Sequence, residues 1–446
     1  MKKILHVVFI LSTLALGIFL GIWQIRPPAM SETSPAFKRM MNNIERLAQR
    51  PRVSGSDEIE VVRAKIIAEI KALGLVPIIH KAEFSHAEAV AAHVRLLGRS
   101  YVLPARFFRG ERLHLQNILV KLQAPNAERG IMFVSHYDSW FNSPGAADAM
   151  LGVCAMLEAM RAHVNNENLA NSLYFLFTEG EEFGALGALA FVEAHPELKE
   201  KIDMVINLEA RGTSGGVIVF ETSPEAYSVL RLFKRITARP IGFSVAQAIY
   251  DRMHVRTDFT FFKEHGYRGI NLVILEGAEH YHRPSDTIEN LNRATAWQYL
   301  SIVLALADYA ANNSLEELRA PSRRAVFFPF LPGNLVLLSF ALAYLLCAAA
   351  CLLAFVYIAF QYKKQRLKIS VSIVLLMTLA ALSIISAIFL HSGSYLFWLP
   401  LLVMSVCMFL KKWSAAFRIV QMFTGITVLL LWVPLVYLVL VMIAAG

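Results

Sequence analysis

Hydrophobic and polar positions divide the chain into three textures. Residues 4–23 form an apolar run without an acidic residue, lysine or arginine, and Lys2-Lys3 precede it. At about 1.5 Å per residue such a run crosses a ~30 Å hydrocarbon core as one helix. It is longer than the apolar part of a usual cleaved signal, and no small-residue cleavage site follows before Pro27-Pro28, so an N-terminal transmembrane helix is expected. Between residues 34 and 321 short apolar runs alternate with helical patterns, the signature of an α/β domain. Strands are predicted at 117–121, 131–135, 173–178, 204–208, 217–220 and 270–275. Helices are predicted at 151–163, 184–194, 224–236 and 295–311. Most of the strand runs lack alternation, as strands covered on both faces do, so a helix-covered, mostly parallel sheet is expected.

Past Ser322-Arg323-Arg324 come four further apolar stretches, 333–360, 369–390, 395–410 and 419–445. These read as a C-terminal bundle of about four transmembrane helices. Five crossings put Lys2-Lys3, the basic segment 363–368 and Lys411-Lys412 on one side, which the positive-inside rule makes cytoplasmic. The expected organisation is an anchor and linker at 1–33, an extracytoplasmic domain at 34–321 and a membrane domain at 322–446.

Composition agrees with a multi-pass membrane protein. Of 446 residues 56% are apolar and only 17% charged, which exceeds the apolar share of a soluble globule. The lipid bilayer is therefore an expected partner. The formal charge of +9 has its densest basic run between two apolar stretches, so no nucleic-acid partner is expected. Three of the four cysteines lie in apolar stretches, which leaves Cys154 alone in the 34–321 domain and excludes a disulfide there. The tail spans contain no Asp, Glu, Lys or Arg, which argues against an ion or proton pathway.

Five short motifs follow predicted strands, and each has an ordinary explanation when taken alone. His136-Tyr137-Asp138-Ser139 follows 131–135; His136 suits a metal, with Asp138 accepting from its second ring nitrogen. Asp148, in the small-residue turn 145–153, is a helix N-cap or a carboxylate bridging two cations, with nearby glycines letting backbone crowd the metals. In Glu179-Gly180-Glu181-Glu182, adjacent carboxylates at a strand end let one bind a cation while its neighbour takes a proton from water; Glu182 is assigned as ligand and Glu181 as base. Glu209 reaches the same crevice or pairs with Arg211. In Glu279-His280-Tyr281-His282 either histidine suits a ligand. Carboxyl ends of parallel strands share one crevice, so one Asp, two Glu and two His gathered there would form an oxygen- and nitrogen-rich donor set suited to zinc.

The order and spacing of these motifs, ending in Tyr281-His282 with Asp286, resemble the co-catalytic zinc aminopeptidase family, which also includes glutaminyl cyclases and membrane-bound endoplasmic reticulum metallopeptidases. The resemblance covers roughly 34–311. It implies the zinc aminopeptidase type of sheet and two zinc ions. Of the ligands, it gives His136 and Glu209 to one zinc, Glu182 and His282 to the other, and Asp148 to both. It also implies that Asp138 orients His136, that Glu181 is the general base, and that Asp258 lies near the substrate. Ala149 departs from the family's usual Asn or Asp, and Glu209 matches the membrane-bound branch rather than many soluble members. Arg211 and Phe261 are candidates for a specificity pocket. The expected function is a membrane-anchored zinc exopeptidase, an aminopeptidase that removes N-terminal residues of peptides with a two-metal-activated water. The alternatives are glutaminyl-cyclase-like acyl transfer at a single zinc and a non-catalytic ectodomain or scaffold, against which every ligand position holds a competent side chain. The substrate's terminal residue and the oligomeric state are left open by the sequence.

Overall fold

All six predicted strand runs lie in one sheet, with a seventh strand at its edge. In the computed structural model, residues 18–30, 34–97, 105–108, 111–251 and 256–345 are described, together with Val8, Ser12, Ala15 and Leu16. The strands are β1 (Ile78–Ser85), β2 (Arg112–Leu122), β3 (Gly130–His136), β4 (Ser172–Thr178), β5 (Ile202–Leu208), β6 (Ile218–Thr222) and β7 (Gly269–Val273). They lie in the order β1-β2-β4-β3-β5-β7-β6. The four central strands run parallel, β4 with β3, β3 with β5 and β5 with β7. The flanking pairs, β1 with β2, β2 with β4 and β6 with β7, are antiparallel. The sheet is thus parallel through its four central strands, as expected of the α/β class, and antiparallel at its flanks, which makes it mixed. Apolar continuity reports burial on both faces, which the outer antiparallel strands β2 and β6 share, and says nothing of strand direction.

Among the described residues, helices with defined bounds accompany the strands: α1 (Pro35–Leu47), α2 (Asp57–Ala72), α3 (His86–Leu97), α4 (Leu151–His163), α5 (Leu186–Ala194), α6 (Tyr227–Ile236), α7 (Ser244–Tyr250), α8 (Asp258–Glu264), α9 (Arg293–Asn312) and α10 (Glu316–Arg319). Their starts follow local chemistry. Ser34, Ser56 and Asn292 each accept a backbone N–H of the first turn of α1, α2 and α9, a cap contributing about 1 kcal/mol.

Side-chain alternation explains the two-sided cover. Met132 and Val134 of β3 and Tyr174 and Leu176 of β4 join Phe191 of α5 and Phe259 and Phe262 of α8 in one core. On the opposite face Phe133 stacks on Phe175 with centroids 5.5 Å apart, under α4 and α9. Burial of each of these phenylalanines contributes roughly 1.5–3 kcal/mol. Gly152 lets α4 lie tight against the sheet, because a Cβ there would sit 2.4 Å from Ser135 Oγ and 3.0 Å from Leu208 Cβ. Edge strand β1, largely exposed or half-buried along its length, has no buried face to leave a hydrophobic signature.

The chain divides into two compact units. One is built from Pro27–Pro240 and Tyr250–Ser322 and contains the sheet; the other gathers, among the described residues, those up to Arg26, Ile241–Ile249 and 323–345. In the second unit β8 (Ala325–Pro329) pairs antiparallel with β9 (Leu335–Ser339), and Phe327 N donates to Ser244 Oγ at 2.7 Å. The apolar run expected to span the membrane from residue 333 therefore begins as a strand. Pro332-Gly333 form a turn signal, with Gly333 at φ +78°, that reverses the chain into a hairpin. Among the described residues no helix is long and apolar enough to cross a membrane. The expected spans at 369–390, 395–410 and 419–445, the part of 333–360 beyond residue 345, and most of 4–17 lie outside the described residues.

Candidate metal centre

Parallel β3, β4, β5 and β7 end on one edge of the sheet, and the loops leaving that edge carry the chemistry. His136 is the last residue of β3 and fully buried. Its Nε2 lies 3.2 Å from Asp148 Oδ1 and 3.6 Å from Glu209 Oε2. On the other side His282 Nε2 lies 3.0 Å from Glu182 Oε2 and 3.5 Å from Asp148 Oδ2. Two donor groups result, His136-Asp148-Glu209 and Asp148-Glu182-His282, each with ligand atoms within 4.8 Å of one another. Asp148 belongs to both, facing one group with each oxygen.

Asp148 does not cap α4, whose N-cap is Met150 without a side-chain bond. Its own main chain breaks the helical path at φ −104° and ψ 91°. Asp286 steadies that turn, its carboxylate accepting from Ala147 N at 2.9 Å and Asp148 N at 3.2 Å. Arg52, fully buried, ties the same loop to the end of β3 by donating to the carbonyls of Tyr137 at 2.6 Å, Gly145 at 2.9 Å and Pro144. Gly145, at φ +60°, leaves room for Arg52, whose Nη2 would be 2.9 Å from a Cβ there. That glycine accommodates a guanidinium and a carbonyl rather than metals.

Asp138 differs in detail from its expected role. The nearest acceptor for His136 Nδ1 is the backbone carbonyl of Asp138 at 3.1 Å, with the carboxylate at 3.5 Å. That carboxylate instead accepts from the backbone N–H groups of Glu181 at 3.3 Å and Glu182 at 3.2 Å. It therefore straps the loop after β4 to the loop after β3. His280 is turned away and bonded to Ser285 Oγ at 2.9 Å, while His282, at φ +56°, stacks on Trp140 with centroids 4.4 Å apart and an interplanar angle of 5°. A non-glycine residue in that region costs about 1–2 kcal/mol, so its neighbours hold it there.

The centre carries excess negative charge. Burial, the largest influence on His136, would lower its pKa, yet Glu209, Asp138 and Asp148 raise it well above the usual imidazole value. His282 is likewise raised to about 9, with Glu182 and Asp148 outweighing burial. Burial would raise Asp148, but the neighbouring His136 and His282 imidazoles hold it below the usual carboxylate range. Glu182 is raised by burial first, against the pull of His282. Glu181 is raised well above its ordinary value by burial and then by Glu209. Glu182 Oε1, Glu209 Oε1 and His282 Nε2 are buried without a hydrogen-bond partner. Orphaned acceptors beside imidazoles are what a cation site needs, and carboxylate and imidazole donors suit zinc.

The remaining candidates divide. Arg211 lines a cleft beside Asp148, Glu181 and Glu209, and no ion pair joins it to Glu209 among the described residues. Asp258 is fully buried and does not line that cleft, its carboxylate accepting from the Thr178 hydroxyl; its neighbours Arg256 and Thr257 line the wall instead. Phe261 belongs to the core beneath α5 rather than to the cleft. Arg52 and Arg256 were absent from the sequence reading. Arg52 stands 84 positions before His136 with no flanking motif, and only the charge of Arg256 beside the Asp258 motif could have drawn notice.

Residues 117–307, which include all five donors, match peptidase family M28. The chain carries an M28 peptidase domain. The five donors within the matched stretch are carboxylates and imidazoles, a set that suits zinc. Among curated relatives, the vacuolar membrane protease of Saccharomyces cerevisiae (strain ATCC 204508 / S288c) is 32% identical over 51% of this chain and 23% of the relative. The vacuolar membrane protease of Candida dubliniensis is 31% identical over 45% and 21%. The match thus spans less than a quarter of these relatives' length. Among solved structures, an aminopeptidase from Aneurinibacillus sp. strain AM-1 is 16% identical and aligns with 65% of this chain and 97% of its own at a TM-score of 0.49. A glutaminyl cyclase from Fimbriiglobus ruber is 15% identical over 63% and 98%, with a TM-score of 0.47.

Proposed function

We propose that the protein is a membrane-associated exopeptidase of the aminopeptidase type, working at a two-zinc centre on the extracytoplasmic side. The observation that carries this reading is the sharing of Asp148 between two donor groups, since five side chains with one common carboxylate suit two ions better than one. His136, Asp148 and Glu209 would hold one ion and Asp148, Glu182 and His282 the other. Zinc at these positions would polarise a peptide carbonyl and bring the ionisation of water toward neutrality. Glu181, on the cleft wall and next to a ligand in sequence, is the group free to act as base. It accepts a proton from the attacking water and passes it to the departing amine, so that an O–H and a C–N bond break while a C–O and an N–H bond form. The cleft beside these donors is small and is lined by Glu181, Arg211, Tyr250 and Tyr281. Relatives named as membrane proteases, with the apolar runs at both ends, support membrane association.

The test uses the full chain in detergent. Metal content is measured beside cleavage of peptides with free and acetylated amino termini. About two zincs per chain and cleavage of the free peptides alone are expected, with loss of activity on chelation. Equal cleavage of blocked peptides overturns the aminopeptidase assignment, and one zinc with a cyclised product from N-terminal glutamine overturns hydrolysis.

A further inference from the structure

Resting on the hydrolytic reading, we propose that the cleft beside the metal ligands selects a carboxylate of the substrate, held by Arg211 and Arg256. Glu181, Glu209 and Asp148 form its metal-facing wall, while Arg211, Arg256 and Asn271 stand among the residues that line the rest. Both side chains are partly buried, that of Arg256 with 37% of its surface exposed, yet each keeps a buried Nε donor of the kind that is normally paired. Arg211 has no carboxylate within 4.0 Å among the described residues, and its buried Nε has no hydrogen-bond partner. Among the described residues Arg256 has one carboxylate in reach, Glu264 at 3.7 Å, and its Nε is also buried and unpartnered.

Arg211 is held in place by other means. Its backbone N–H donates to Ile274 O at 2.9 Å, which extends the β5–β7 pairing by two residues past Glu209. Its guanidinium lies 4.9 Å from the centroid of the Tyr281 ring, a cation–π contact that orients the planar group without using its donors. Tyr281 in turn stacks on His282 with centroids 3.7 Å apart. The Nε donor of Arg211 is thus held in the cleft that Asp148, Glu181 and Glu209 also line, and among the described residues it has no acceptor. A guanidinium fork meets a carboxylate with two parallel N–H···O bonds, and a second arginine doubles the charge complementarity. Two substrate groups near a scissile bond have this chemistry, namely the acidic side chain of the N-terminal residue and the terminal carboxylate of a dipeptide.

The experiment compares kcat/KM of the zinc-loaded full chain on peptide amides that begin with Glu or Gln, and on Gln-Ala with a free or an amidated carboxyl end. A preference of about 10-fold or more for Glu over Gln is expected if the side chain is the ligand, and a similar preference for the free dipeptide if the terminal carboxylate is. In Arg211→Met and Arg256→Met the preferred ratio should fall toward one. A ratio taken within one variant is independent of how much of that protein folds. Arg211→Lys should keep part of the preference, because charge remains and the fork is lost. A parent that cleaves all four substrates equally overturns the selectivity and leaves the hydrolytic reading standing. A parent that cleaves no free-amino peptide overturns the hydrolytic reading, and this inference with it.

Discussion

Replacing Asp138 with asparagine should weaken both halves of the metal centre together. The carboxylate accepts from Glu182 N at 3.2 Å through one oxygen, and through the other from Glu181 N at 3.3 Å, with His136 Nδ1 at 3.5 Å. Asparagine has the same shape but only one accepting oxygen. Its NH2 must then face a backbone N–H, so at least one of the two loop bonds is lost and a buried donor is left unmet. A hydrogen bond to a charged acceptor contributes about 1.5–3 kcal/mol. Because that bond positions the loop carrying Glu182, most of the loss should appear as zinc affinity, about 10- to 100-fold, or ~1.4–2.7 kcal/mol. The assay is zinc titration against a chelator of known affinity, with kcat/KM measured at saturating zinc and circular dichroism as a check on folding. His136 and Glu182 belong to different donor groups, so both zincs should weaken. An Asp138→Asn protein that loses only one zinc, or binds both as tightly as the parent, refutes the strap.

Glu181→Gln should retain its zinc and lose about 10²- to 10⁴-fold in kcat, since the amide cannot accept a proton; turnover at the parent rate removes Glu181 from the mechanism. Arg63→Met acts on stability. Arg63 Nη2 pairs with buried Glu179 at 2.8 Å and its Nε donates to Tyr137 OH at 2.7 Å, so its removal strands a buried carboxylate at a cost of roughly 3–5 kcal/mol. Burial, opposed by Arg63, already raises Glu179 to about 7. A raised folded pKa means that stability present below the ~4.3 of an unfolded glutamate is lost as pH rises through the folded value. Without Arg63 that value moves higher still. Denaturant melts should therefore show a larger deficit at pH 8 than at pH 6, and a deficit independent of pH would contradict this account.

Buried runs such as 131–135 and 173–178 were legible as strands because central strands must be apolar on both faces. Edge strand β1 was not, because its side chains face water on both sides. Strand direction was hidden for the same reason that the runs were visible, since burial carries no sense of direction. The β8–β9 hairpin shows a related confusion, an apolar stretch being equally suited to a bilayer and to a paired strand.

The donor residues and their order along the chain are properties of the sequence, because side-chain chemistry and position after a strand are written locally. It could not say that Asp148 faces one donor group with each oxygen, that Asp138 binds the next loop rather than chiefly His136, or that Asp258 is buried away from the cleft lining. Nor could it find Arg52, which joins loops 85 and more positions away. Those outcomes depend on distances of about 3 Å between segments remote in sequence. Only the packing of the central parallel strands brings such segments to one edge.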